Sequence, residues 1–225
     1  MRTYVWLAVL AAGADAGGLT RSDVVTYAFV TGGLSAALQP TWATEIVERI
    51  RSGDIVTDLY RPVDFQLWWL ARDAGSSAYR LLTRAIPPLF IGGLVFDLAL
   101  PTRAAVWLSF AVSVSLAFVL VYAWKLLVSL SGFWLLNPAG VVQLAAGLFT
   151  FGSGSLLPLA FMPDGLEGVL RWLPFAAMLQ LPLEVLLGVG TVEPLARQLV
   201  WAVVLLAAGR IVLRRAERKL VVQGG

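Results

Sequence analysis

Residues 104–124 read AAVWLSFAVSVSLAFVLVYAW, twenty-one residues without a charge between Arg103 and Lys125. A helix needs roughly 20 apolar residues to cross a hydrocarbon core about 30 Å thick, so this stretch predicts a membrane span. Working outward, Val24 to Thr44 is a second run of 21 uncharged residues, closed by Asp23 and Glu45. A third span is expected from about Arg84 to Leu100, with Pro87-Pro88 near its start and Asp97 near its end. Leu126 to Pro163 holds 38 consecutive uncharged residues, about 57 Å of helix and too long for one span. Asn137-Pro138 supplies the break, because proline lacks the amide donor and disfavours helix at the preceding residue. Residues 126–136 then read as a helix extension and 139–161 as the next span. The last span covers about 194–213, with Arg197 and Arg210 near its ends.

The N-terminal segment is different. Thr3 to Ala14 offers only 12 uncharged residues, about 18 Å of helix and too short to cross. A cleaved leader is one reading, since Arg2 precedes an apolar run and Ala12-Gly13-Ala14 is small. A single arginine is a thin basic region and polar sequence follows at once, which favours a shortened first span. The expected fold is therefore all-α and polytopic. It has five full transmembrane helices plus a partial first one, in a single transmembrane domain over residues 1–225.

Composition agrees and excludes chemistry. Of the 225 residues 59% are hydrophobic and 14% charged, against about 45–50% and 25% in soluble domains. There is no histidine and no cysteine, which removes Cys/His metal sites, disulfides, thiol nucleophiles and every histidine-based triad. The two lysines, Lys125 and Lys219, follow no glycine-rich turn, so there is no P-loop. No cofactor is implied.

The basic residues have a side. With the 45–84 segment and the C-terminus in the cytoplasm, twelve basic residues lie inside: Arg49, Arg51, Arg61, Arg72, Arg80, Arg84, Lys125, Arg210, Arg214, Arg215, Arg218 and Lys219. Arg21, Arg103, Arg171 and Arg197 lie outside, and the fourteen acids divide equally. Asymmetry in Lys/Arg alone is the positive-inside pattern, so the basic tail reads as topology and anionic-lipid contact rather than nucleic-acid binding. Charges within a span are costly and mark ion paths. Here Asp97, Glu184 and Arg197 are the deepest and each is expected at an interface, so no ion relay is implied.

Two irregular regions remain. In residues 45–84, a cytoplasmic loop, Gly53 should end a helix that extends from the second span. Ile55, Val56 and Leu59 follow at helical spacing, with Asp54, Asp58 and Arg61 on other faces. This pattern predicts a short amphipathic helix at the membrane surface, stopped before Pro62, with Trp68 and Trp69 as interfacial anchors. It reads either as a solvated loop or as a docking surface for a cytoplasmic partner. In the outer region, about 157–190, Pro158, Pro163, Pro174 and Pro182 cut the chain into pieces too short to cross. Such pieces need protein or water cover for their backbone groups, which predicts re-entrant or interfacial half-helices before the last span.

The segment Arg51-Ser52-Gly53-Asp54-Ile55-Val56-Thr57-Asp58-Leu59-Tyr60-Arg61-Pro62 is similar to the R-x-G-x-[IL]…L-x-R-P element that follows the second span in permeases of ABC-2 (type-2) exporters. Leu156 to Pro163, Leu173-Pro174-Phe175 and Leu181-Pro182 resemble the re-entrant outer region before their last span. The likeness covers about residues 20–215. It implies a six-span permease in the plasma (inner) membrane, paired with a second permease subunit and with cytoplasmic ABC ATPase subunits that carry the ATP chemistry. It places Glu48, Arg49, Arg51, Gly53, Asp54, Asp58, Arg61 and Pro62 at or near the ATPase contact. The family's complete first span and basic N-terminal segment are missing, so the chain reads as N-terminally shortened.

A membrane enzyme is the weaker reading, given no histidine and no midplane acid. A non-transporting membrane scaffold or assembly subunit would carry similar helices and a similar tail. The substrate is not readable, because Gly32, Gly33, Ala36, Gly92, Gly93 and Gly147 suit a path lining and tight helix packing equally well.

Overall fold

The computed structural model describes residues 21–38, 44–96, 98 and 100–223. The shortened first span at 3–14, the leader reading of those residues and Asp97 lie outside the described residues. Every regular element among the described residues is helical. The helices are α1 (Arg21–Leu38), α2 (Thr44–Ser52), α3 (Ile55–Leu59), α4 (Phe65–Arg80), α5 (Ile86–Val95), α6 (Ala104–Leu130), α7 (Ala139–Gly152), α8 (Asp164–Trp172), α9 (Pro174–Leu186) and α10 (Val192–Gln223). A π turn at Leu81–Ala85 joins α4 to α5, and 3-10 turns occupy Ser131–Phe133 and Leu159–Phe161.

Among the described residues two helices are long and apolar enough to cross a bilayer, Ala104–Phe133 and Val192–Arg218, and a third span results if α8 and α9 count as one broken helix. The charge-free run at 104–124 thus forms the span its length predicts. The final helix is longer than the expected 194–213 and carries its basic residues on a continuous extension. The other expected spans are occupied by shorter helices. α1 has 18 residues, α5 has 10 and α7 has 14.

Three boundaries differ from expectation for identifiable reasons. The 45–84 segment is not an open loop, since α2, α3 and α4 fill most of it. The helix expected from Arg84 begins at Phe65, because α4 continues through the π turn into α5. Pro87 and Pro88 lack amide donors and crowd the preceding turn. The widened turn, in which Ile86 N–H donates to the Leu81 carbonyl, precedes them and keeps the helix continuous. The break at Asn137-Pro138 holds, but α7 stops at Gly152 instead of 161, and Gly154 turns the chain at φ 75°.

At the centre lies α9, all thirteen of whose residues are buried. It packs on α6, α10, α1 and α7, with Met178, Leu179 and Leu183 against Val24 and Tyr27 of α1, Leu120 of α6 and Leu205 of α10 in one cluster. α8 meets α9 at 97° across Leu173, where Pro174 occupies the first turn of α9 and needs no donor. The expected half-helices correspond to α8 and α9, of which α9 is enclosed by protein while α8 leaves Val169 and Trp172 exposed. Pro182 does not cut the chain, because α9 runs through it. An interior proline costs about 3 kcal/mol, and here burial on every side offsets it. Outward faces are apolar where lipid would meet them, as at Phe90, Leu94, Leu108, Val112, Leu199 and Val203.

Candidate functional site

The elbow between α2 and α4 begins with an amphipathic helix. Ile46 and Val47 are buried while Glu48 is exposed. α2 ends at Ser52 because Gly53 takes φ 84°, a left-handed conformation that a side chain would oppose. The Gly53 amide donates to the Ile50 carbonyl at 3.3 Å, and the chain reverses into α3. Ile55 is fully buried in a cluster with Ile46, Phe65, Trp69, Tyr122, Leu126, Leu130 and Leu213. That apolar anchor fixes α3 against α2, α4, α6 and α10.

One turn beyond Ile55, Asp58 also faces inward, with its side chain 2% exposed. This corrects the expectation that Asp58 lies on an outer face with Asp54 and Arg61. Its carboxylate is held from both sides. Arg49 donates from Nε to Oδ2 at 2.6 Å and from Nη2 to Oδ1 at 3.1 Å, a bidentate pairing that fixes both side chains. The same Nη2 reaches Thr57 Oγ1 at 3.2 Å and the Asp54 carbonyl at 3.3 Å. Arg61 Nε lies 3.5 Å from Oδ1 and its guanidinium stacks 4.4 Å from the Trp68 ring centroid.

Of the eight residues expected at the contact, the structure therefore joins Arg49, Asp54, Asp58 and Arg61 in one knot. Asp54 is exposed and accepts from Ser52 Oγ at 2.7 Å. Glu48, Arg51 and Pro62 are exposed around the knot, and Gly53 supplies its bend. Trp68 remains half-exposed, as an anchor should, whereas Trp69 is buried in the apolar cluster.

Several residues that connect the elbow to the bundle were not singled out in the sequence. Asp64 caps α4 by accepting the Leu67 amide at 3.1 Å, and it pairs with Arg210 of α10. Partial desolvation opposes ionisation of Asp64. The hydrogen bond and charge of Arg210 and the backbone donors outweigh it, holding the carboxyl below its ordinary value. Tyr122 of α6 donates to the Gln66 carbonyl at 2.6 Å, and Gln66 Nε2 reaches the Leu206 carbonyl at 3.3 Å. Arg72 pairs with Glu45 at 2.5 Å, closing α4 onto α2. An acid directly before an apolar helical run is a readable cap signal. The cross-helix partners carry no local signal.

Glu184, expected at an interface, is buried, pairs with Arg171 at 3.0 Å and accepts from Gln180 at 3.2 Å. Among the proposed lining glycines, a Cβ on Gly92 would stand 2.6 Å from the Phe29 ring and one on Gly33 would stand 3.3 Å from Ala85, so both serve close helix approach. No group of His, Cys, Asp or Glu among the described residues could hold a metal ion. The arrangement offers paired charges and a rigid exposed bend rather than a reacting centre.

Residues 1–224 match the model of a family described as ABC-2 family transporter protein. No curated protein and no solved structure gives a significant match.

Proposed function

The chain belongs to the ABC-2 family of transporter proteins, and on that footing we propose that it is the permease subunit of an ATP-driven exporter. The family's membrane subunits are not themselves catalytic. ATP hydrolysis then falls to separate cytoplasmic ATPase subunits, and a second permease subunit completes the translocation path. The chain is a single permease domain in which α6 and α10 supply the long spans and α1, α4–α5 and α7 the shorter ones. It lies in the plasma membrane with the elbow and the C-terminus on the cytoplasmic side, where twelve of the seventeen basic residues fall.

One observation carries the reading. The exposed elbow is stiffened by the Arg49–Asp58–Arg61 knot and tied to three helices through Ile55, Glu45–Arg72 and Asp64–Arg210. A flexible loop would absorb a push, whereas this unit passes it to α4, α6 and α10. Glu48, Arg51, Asp54 and Pro62 form the face toward the ATPase. Arg49, Asp58 and Arg61 hold that face in shape, and Gly53 allows the bend.

Reconstitution with the ATPase encoded beside it tests this. The complex should hydrolyse ATP faster than the ATPase alone. Asp54→Lys and Arg51→Glu should remove that stimulation while leaving the permease in the membrane. Full stimulation in both variants would overturn the coupling role, and no stimulation by the wild type would favour a scaffold.

A further inference from the structure

A cavity of about 190 Å³ lies behind the elbow, bounded by α2, α4 and α6. A single water needs roughly 10–15 Å³ of such space, so the cavity holds more than an isolated water. Three cations line it, Arg72, Arg80 and Lys125, against two carboxylates, Asp73 and Glu45. Asp73 is shared: Lys125 Nζ is 2.6 Å from its Oδ1 and Arg80 Nη2 is 3.9 Å from the same atom. Lys125 is itself only 9% exposed. Trp69 lines the cavity too, is 5% exposed, and its buried indole N–H has no hydrogen-bond partner among the described residues. With Glu45 paired to Arg72 and Asp73 shared by Lys125 and Arg80, one cation exceeds the available carboxylates, and that surplus calls for an anionic acceptor.

Position narrows the choice. Lys125 directly follows the charge-free run 104–124, so the cavity sits where that span leaves the hydrocarbon and enters the headgroup layer. Arg72 and Glu45, both half-exposed, form its rim. The oxyanion most abundant at that depth is a phosphodiester, whose oxygens accept from guanidinium and ammonium donors arriving from different directions.

We propose that this cavity binds a phosphoryl group, presented by an anionic phospholipid of the adjoining leaflet or as free phosphate. The site shares the Glu45–Arg72 pair with the elbow, but anion binding there requires only that the chain be embedded in a bilayer. Native mass spectrometry of the delipidated full chain, titrated with dioleoylphosphatidylglycerol, measures binding. One lipid should bind ahead of all others, and more tightly than dioleoylphosphatidylcholine. Arg72→Gln and Lys125→Gln each remove a cation from the cavity wall, and each should weaken that first binding about tenfold. Displacement of the lipid by inorganic phosphate assigns the free anion as a ligand, and binding without displacement assigns the lipid headgroup. Equal lipid affinity in the wild type and both variants, with no phosphate binding, overturns the proposal.

Discussion

The elbow and the buried helix α9 satisfy their polar groups in opposite ways. At the elbow the groups are charged and mostly exposed, and a single buried carboxylate, Asp58, organises two arginines. In α9 they are mostly neutral and lie deep. Gln198 of α10 is fully buried, accepting from Ser113 Oγ at 2.8 Å and donating to the Ala177 carbonyl at 2.9 Å. Tyr27 of α1 donates to Gln180 Oε1 at 2.5 Å. Exposed charge pairs contribute about 0–1 kcal/mol because water competes for both partners. Buried amides have no such alternative, so displacing α9 leaves several unsatisfied at once. The difference separates an elbow held by surface charge pairs from a buried helix held to α1, α6 and α10 by neutral hydrogen bonds.

The strongest way to break this contrast is to remove the organiser of the elbow. Asp58→Asn should destabilise the α2–α3 unit by about 2–3 kcal/mol, somewhat below a fully buried pair because Arg49 can partly reach water. Hydrogen exchange over 44–61 should rise while exchange over α9 stays unchanged. A smaller effect is expected from Gln198→Leu, about 1–2 kcal/mol in unfolding from bicelles, since interhelical hydrogen bonds in membranes are individually modest. Its exchange signature should be the reverse, with α9 loosened and the elbow intact. Loosening of both regions in either variant would erase the distinction.

The smallest effect concerns pH. The Asp64 carboxyl is held below its ordinary value, so the stability it confers is complete above the unfolded carboxylate value and is lost as pH falls through the depressed folded value. Acidification should fray the first turn of α4, measured as protease cleavage near 62–66. Asp64→Ala, which removes both the cap and the Arg210 pair, should be frayed already at neutral pH and be insensitive to acid.

How much of this was legible depended on whether the signal was local. Gly53, the stop before Pro62 and the break at Asn137-Pro138 are dictated by backbone chemistry within a few residues, and each stands where the sequence places it. The charge-free run 104–124 likewise becomes a span by length alone. Asp58 misled because helical spacing reports faces, not what waits on each face, and Arg49 arrives from the preceding helix. Pro182 misled for a related reason. Proline breaks a helix only where nothing compensates, and here burial of α9 on every side does. The cap at Asp64 was readable, but its partner Arg210 lies 146 residues away.

The central claim is that the elbow faces the ATPase. A photo-crosslinking residue can be placed at Tyr60, 84% exposed on the elbow, or at Val189, 67% exposed between α9 and α10. In membranes that also contain the neighbouring ATPase, position 60 should yield a permease–ATPase adduct and position 189 none. An adduct from position 189, or none from position 60, would contradict the account.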